Sequence, residues 1–514
     1  MLNFTPLARR FFLSRLRDHV RYIHHADAVQ QEQLVKLIEK TSLTEWGRKY
    51  DYSTLRTYRQ WSQRVPLTRY DDVRAYIMRM IRGEASVLWP GKTYNFAQSS
   101  GTSGKSKYIP ITTDSFRLNH YQGASDVVSH YLNLNPESRI FAGKALILGG
   151  SFGNELRDLP RGVRVGDLSA SLIDNMNPLV AKFRVPAKDI ALMEQWDEKL
   201  PALVEASIGE DITNLSGVPS WFLTVIKHVL QRTGASCIHE VWPNLEVFFH
   251  GGIAFDPYRP QYEQLCDMSR MHLLDTYNAS EGFFAVQSDW DTTAMLLLLD
   301  VGVFYEFIPQ GQWADDDATA LPIWEIEAGK TYELVITACN GLCRYRIGDT
   351  VTIEQLNPVK IKIAGRTRSF INAFGEELME HNAEQAIAQA QQETGLRVLN
   401  YTVAPVFATA TTRGCHQWLI EFDQPPADPE PFMLSLDKAL RSLNSDYNAK
   451  RTGDIFMAPP ALTIASPATT AMRGIYDLPI YDLGGRKIVN SKSVNSKLHR
   501  GIYICNGKKI AIKK

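Results

Sequence analysis

The chain has 514 residues, 44% of them apolar and 22% charged, with 56 lysines and arginines balancing 56 aspartates and glutamates. These are the proportions of a soluble globular protein, and the length exceeds one ordinary core, so two or more domains are expected. A formal net charge of zero provides no global field for nucleic acid or an anionic membrane, and neither is expected as a partner.

The apolar run at Phe11–Leu13 is far too short for a signal-peptide core, and Arg15, Arg17 and Asp18 follow at once. Residues 7–80 read as mainly helical with a charged solvent face. A loop-rich stretch, Arg82–Thr112, comes next. After it, runs of strand length (Ala145–Leu148, Leu245–Phe249, Met295–Leu299, Val303–Ile308, Tyr332–Thr337) alternate with helical patterns at 113–132, 188–208, 219–233 and 257–270. Such alternation predicts an α/β fold with mixed sheets. No apolar stretch reaches the roughly 18 residues of a membrane span; Asp300 ends the run at Met295–Leu299.

The composition changes again at Ala364–Glu377. Beyond it a helix at Glu377–Glu393, a strand at Gln417–Phe422 and a helix at Glu430–Asn448 predict a small α+β domain. The expected division is a large N-terminal domain over 1–368 and a small C-terminal domain over 376–514, with the boundary inside 365–375. Gly484–Lys514 is a basic tail: it holds nine lysines or arginines, no acid, and Val-Asn-Ser-Lys twice, at 489–492 and 494–497. A strand pair, Gly501–Cys505 and Lys509–Ile512, is expected around Asn506-Gly507. Six irregularly spaced cysteines form no Cys-x-x-Cys, and twelve histidines no His-Glu-x-x-His. Free thiols in a reducing, cytoplasmic setting are expected, and no histidine-based metal site.

The chemistry concentrates in four motifs. Ser99-Ser100-Gly101-Thr102-Ser103-Gly104-Lys105-Ser106-Lys107 exposes backbone N–H groups and hydroxyls beside two lysines, which is what a phosphate cradle requires. A Walker loop would need glycine where Ser99 stands. Phe248-Phe249-His250-Gly251-Gly252 ends a strand, and its glycines would let a flat ligand lie against the backbone. In Tyr277-Asn278-Ala279-Ser280-Glu281, Tyr277 is a candidate to stack on a purine and Glu281 a hard oxygen ligand for Mg²⁺. In Tyr345-Arg346-Ile347-Gly348-Asp349, the carboxylate of Asp349 offers two acceptors to a ribose, and Arg366 in Gly365-Arg366-Thr367 can donate to ribose or phosphate. Each piece alone is weak. Their common order, with one duty each toward ATP, is what carries the reading.

With these motifs in that order, the sequence resembles the auxin-responsive family of acyl-acid amido synthetases, within the adenylate-forming superfamily of acyl-CoA synthetases, luciferases and peptide-synthetase adenylation domains. The likeness runs from about residue 35 to 465 and includes Val65-Pro66-Leu67-Thr68-Arg69-Tyr70 and Gly83–Gly91. Phe370-Ile371-Asn372-Ala373-Phe374-Gly375-Glu376-Glu377-Leu378 is similar to the family's interdomain hinge. The resemblance implies the adenylate-forming fold, with ATP and Mg²⁺ as cofactors. It implies that a small carboxylic acid is adenylated and that the acyl group passes to an amine of an amino acid. Val218, Trp221 and Phe222 are candidate acyl-pocket residues, or else ordinary helix core. Relatives end in a Gly-Gly-Gln-His-Lys-like segment; here Leu483-Gly484-Gly485-Arg486-Lys487 stands instead, and Lys487 can take the lysine's role with a one-residue offset. Two alternatives stay open: a thioester-forming acyl-CoA synthetase, and a degenerate nucleotide-binding protein that has lost that lysine.

Overall fold

The structure is a computed structural model. It describes the chain except residues 1–2, 100–105, 155, 254, 257, 316, 368–369, 377, 410–411, 465–479, 482–486, 490–500, 506–507 and 513–514. Its frame is a twelve-stranded sheet. In spatial order the strands are Leu321–Pro322, Val303–Pro309, Thr331–Ala338, Tyr345–Leu356, Val359–Arg366, Met295–Leu297, Gly282–Gln287, His272–Ala279, Val247–Gly251, Ile212–Gly217, Lys144–Ile147 and Arg184–Val185. From Arg184–Val185 to His272–Ala279 neighbours run parallel; from His272–Ala279 onward every pairing is antiparallel. His272–Ala279 is therefore where the sheet changes character. In sheets of this kind ligands gather beyond the carboxyl ends of the parallel strands.

The parallel strands alternate with helices, as right-handed crossovers require. Trp196–Ile208 and Pro219–Thr233 pack Trp196, Leu203, Phe222, Val225 and Ile226 against Leu215 and Phe248 in one core. In this part of the chain three sequence-predicted helices differ from those observed. The helix expected over 188–208 is split into Lys188–Ala191 and Trp196–Ile208, and that expected over 257–270 is only Arg259–Leu265. The one expected over 113–132 begins as a π-helical turn, Ser115–His120, and continues as Tyr121–Leu134.

A separate three-stranded sheet carries the phosphate motif. Asn95–Ser99 pairs antiparallel with Lys107–Ile111, Ser99 opposite Lys107, and parallel with Arg164–Gly166. The C-terminal α+β unit has its own core around Trp418, Ile420, Phe432 and Leu436. Its sheet joins Val398–Val406, Cys415–Phe422 and Ala461–Ile464, covered by Glu380–Thr394 and Glu430–Leu443. The helix expected over 430–448 breaks at Asn444, whose extended backbone and side chain cap a new helix, Ser445–Arg451. The tail forms a further four-stranded sheet in which Gly501–Cys505 pairs with Lys508–Ile512. Among the described residues no helix is long and apolar enough to cross a membrane.

Buried ion pairs pin the antiparallel half. Arg344, at the entrance to Tyr345–Leu356, meets Glu306 at 2.8 Å, and both side chains are buried. Its other amino group donates to Ser62 O at 2.9 Å and Val65 O at 2.7 Å, so the pair also anchors the segment that leads into Thr68. Thr68 then bridges Tyr345: Thr68 N donates to Arg344 O at 2.8 Å, and Arg346 N donates to Thr68 O at 2.9 Å. Arg346 meets Glu333 at 2.6 Å. Removing one member of a buried pair strands the other charge, at a cost of about 3–5 kcal/mol. Arg344→Met is expected to destabilise the large unit by about that amount in urea unfolding, and adding Glu306→Leu should recover a good part of the loss.

Candidate active site

Asp349 lies where three strands meet. It follows Gly348, whose φ of +89° is left-handed backbone that suits glycine. Its partner across the ladder is Arg366, and Arg366 Nε donates to Asp349 Oδ1 at 2.6 Å. Tyr277, near the end of the last parallel strand, donates its hydroxyl to Asp349 Oδ2 at 2.7 Å. Each oxygen of the carboxylate thus holds one donor, and each oxygen retains acceptor capacity for a ligand hydroxyl. Burial and the Asp349 charge push the Tyr277 hydroxyl well above its ordinary pKa of 10, so it remains a donor.

The Tyr277 ring is buried and packs edge-on against Phe284, with centroids 5.1 Å apart. In this geometry it orients Asp349 and presents no open face to a purine, unlike the stacking expected from the motif. The motif itself is a strand and a tight turn. Ser280 and Glu281 make the turn between His272–Ala279 and Gly282–Gln287, with Ala279 opposite Gly282.

Two asparagines fix that turn, and neither was visible as functional in the sequence. Asn340 Nδ2 donates to Glu281 O at 2.9 Å. Asn119 Oδ1 accepts from Phe283 N at 2.7 Å, while its Nδ2 donates to Phe283 O and Val301 O at 3.1 and 3.0 Å. Asn119 belongs to the π-helical turn after the phosphate hairpin. A π turn inside a helix is a recurrent mark of a functional position. Glu281 is buried, and burial raises its pKa above the ordinary 4.5; Asp349 adds to that rise, whereas Lys107 and Arg366 oppose it. Two carboxylates and two cations thus share one field.

Lys107 starts the second strand of the phosphate hairpin, its ammonium 6.0 Å from the Tyr70 ring centroid. Tyr108 N donates to the Tyr70 hydroxyl at 2.8 Å, which docks the hairpin on the Tyr70–Ile81 helix. Ser99 ends the first strand. Ser100, Gly101, Thr102, Ser103 and Gly104 lie outside the described residues. Lys487 opens the Lys487–Val489 strand of the tail sheet, paired with Ile480–Tyr481.

The remaining candidates divide. At Gly251 a Cβ would stand 2.5 Å from Thr276 O and 2.6 Å from Thr276 Oγ1, so the neighbouring strand, not a ligand, uses the space. Gly252 has a φ of +83°, and Val218 Cγ2 is the atom nearest to where its Cβ would be, at 3.5 Å, so Val218 lies beside the carboxyl end of the Val247–Gly251 strand. Phe222 is fully buried against Phe248 as a helix-core residue. Trp221 reaches the C-terminal unit, its ring 5.5 Å from that of Phe456. Among the described residues no group of three or more His, Cys, Asp or Glu side chains is arranged to hold a metal ion. A lone Glu281 carboxylate is nevertheless a normal protein share of a Mg²⁺ site completed by substrate phosphates and water.

The pairing of Asp349, Tyr277 and Arg366 at the switch strand prompts comparison with known proteins. The GH3 family N-terminal domain matches residues 15–178 and 154–271, the GH3 family central domain matches 296–366, and the GH3 family C-terminal domain matches 381–472. The chain belongs to the GH3 family. The indole-3-acetic acid-amido synthetase GH3.4 of Arabidopsis thaliana is 23% identical, with 86% of this chain and 85% of that protein covered. The 4-substituted benzoates-glutamate ligase GH3.12 of the same plant is 21% identical over 73% of this chain and 75% of its own. Among solved structures, the GH3.15 acyl acid amido synthetase superposes with a TM-score of 0.59 at 18% identity, covering 89% of each chain. A 2-hydroxyisobutyryl-CoA ligase superposes with a TM-score of 0.58 at 14% identity, covering 88% of this chain and 90% of that one. The fold is therefore that of the adenylate-forming enzymes, with a large α/β portion and a C-terminal α+β portion.

The displaced pKa of Glu281 has a thermodynamic consequence. A carboxyl that holds its proton more tightly when folded than when unfolded makes the folded state lose stability as pH rises between the two pKa values. Glu281→Gln is expected to raise the melting temperature by roughly 1–3 °C at about pH 7.5 and to leave it unchanged at about pH 4, where both states carry the proton. Differential scanning calorimetry at the two pH values reads this directly.

Proposed function

We propose that this protein is an AMP-forming acid–amine ligase: it adenylates a small carboxylic acid with ATP and passes the acyl group to an amine, with an amino acid as acceptor. The observation that carries the reading is the Tyr277–Asp349–Arg366 contact, at 2.7 and 2.6 Å, beside the field shared by Glu281 and Lys107. The names of the curated relatives supply the amine acceptor and favour it over coenzyme A.

Forming an acyl-adenylate brings a carboxylate up to the α-phosphorus of ATP, so two anions must meet. The work of the protein is to neutralise and orient them. Asp349 takes the ribose hydroxyls, its geometry set by Tyr277 and Arg366. Lys107 and the N–H groups of the Ser99–Gly104 motif hold the phosphates as pyrophosphate departs. Glu281 would hold Mg²⁺, which supplies further charge neutralisation at the phosphates. Val218 and Gly252 line the acyl side of the crevice. The amine then attacks the acyl carbon and AMP leaves with the bonding electrons; no covalent enzyme intermediate is needed. ATP consumption and the free cysteines Cys237, Cys266, Cys339, Cys343 and Cys415 are in keeping with a cytoplasmic setting.

Acid-dependent ATP–pyrophosphate exchange over a panel of carboxylic acids is the test. Asp349→Ala should lower exchange at least about tenfold, the smallest loss that marks transition-state stabilisation. Tyr277→Phe keeps the ring but drops the hydrogen bond, worth about 1 kcal/mol, and should raise the KM for ATP roughly fivefold. Full exchange in both variants would remove Asp349 from the nucleotide site.

A further inference from the structure

The seam between the large unit and the C-terminal unit holds a cavity that shares no residue with the site at Asp349. Its volume is about 110 Å³, several times the roughly 10–15 Å³ that a single water needs. One wall is the Pro219–Thr233 helix, where Ser220, Thr224, Lys227 and His228 fall at the spacing of one helix face. The facing wall is the loop that joins the Val398–Val406 and Cys415–Phe422 strands, with Thr412 and Arg413. That loop is tied to the large unit. Gln261 Nε2 donates to Ala408 O at 2.6 Å, and Lys227 Nζ donates to Thr409 O at 3.0 Å. Gly414 lies so close to the hinge that a Cβ there would stand 2.4 Å from Phe374 Cε1.

The lining is basic and holds no acid. Lys227, His228 and Arg413 line the cavity, and no aspartate or glutamate does. Lys227 is half-buried, and burial lowers its pKa with no neighbouring charge to offset it. Two of its N–H groups serve Thr409 O and Gln261 Oε1, at 3.0 and 2.8 Å, and an ammonium has a third. Arg413 pairs with no carboxylate among the described residues. Three acids adjoin the lining in sequence, and each is engaged elsewhere. Asp256 meets Arg259 at 3.3 Å, and Asp454 pairs with Arg451. Glu376 accepts from Ala373 N and Phe374 N, at 3.1 and 2.6 Å, and meets His416 at 2.8 Å. A partly desolvated ammonium that shares a cavity with a guanidinium, and with no counter-charge, calls for an anion.

We propose that this cavity is an anion site that takes a phosphate group. Arg413 presents the planar fork that binds phosphate oxygens in pairs, Lys227 adds a point charge, and His228 adds another when protonated. More than one cation calls for more than one negative charge, and a phosphate ester carries close to two where a carboxylate carries one. Arg413 belongs to the C-terminal unit, whereas Lys227 and His228 belong to the large one, so the bound anion clamps the two together. The site stands apart from the ligase reading, since it uses other residues and needs no activated acid.

Isothermal titration calorimetry of the full-length protein at low ionic strength is the test, with inorganic phosphate, glycerol phosphate and acetate as probes. Inorganic phosphate should bind, with acetate at least about tenfold weaker. Glycerol phosphate that binds as well as the free ion assigns the site to phosphate esters; glycerol phosphate that does not assigns it to inorganic phosphate. Arg413→Gln and Lys227→Met should each weaken phosphate at least about tenfold, and Arg413→Lys by less. Lys107→Ala should leave this binding in place, which separates it from phosphate held at the nucleotide motif. Arg413 is exposed, so Arg413→Gln is expected to fold, and its unfolding curve checks that. Phosphate should also slow amide hydrogen exchange in Pro219–Thr233 and at 412–414 in the wild-type protein and not in Arg413→Gln. Absence of phosphate binding in the wild-type protein, affinity unchanged in Arg413→Gln, or binding lost in Lys107→Ala overturns the site.

Discussion

Asp349 draws together parts of the chain that have no local reason to meet. Its carboxylate is 9% exposed as a side chain, and a buried carboxylate persists only where donors reach it. One donor, Tyr277, belongs to the last parallel strand; the other, Arg366, belongs to the strand antiparallel to that of Asp349 itself. The contact therefore ties the two halves of the twelve-stranded sheet together across the Met295–Leu297 and Gly282–Gln287 strands that separate them in order. Arg344 and Arg346 secure the approach from the other side through Glu306 and Glu333. The Asp349 contact and the sheet are thus held together by the same residues.

The buried charges divide into two kinds. Arg344–Glu306 and Arg346–Glu333 are bidentate and closed, with their remaining donors on backbone carbonyls. They have nothing left to offer a ligand. Glu281 and Asp167 are the other kind, since burial dominates the displaced pKa values of both carboxylates. Desolvated groups that await a partner are what a binding site costs a fold, and what a transition state can exploit.

Much of this was legible in the sequence where local chemistry dictates it. The motif runs ending at Glu281 and Asp349 fall on a tight turn and a strand entrance, and Arg366 sits opposite Asp349. What the sequence hid were the consequences of packing. Tyr277 is an exposed stacking ring only until Phe284 and Asp349 claim it. Gly251 is small because Thr276 approaches, which no motif records. The helix pattern over 430–448 runs on through Asn444, and only the extended backbone there shows a break.

The central claim is that Asp349, held by Tyr277 and Arg366, anchors the nucleotide from which the acyl-adenylate is built. The most direct measurement is a crystal structure with a non-hydrolysable acyl-sulfamoyl-adenosine bound. The account predicts the ribose hydroxyls on the Asp349 carboxylate and the sulfamoyl group between Lys107 and Glu281. A nucleoside lodged elsewhere, with Asp349 still engaged only by Tyr277 and Arg366, would contradict it.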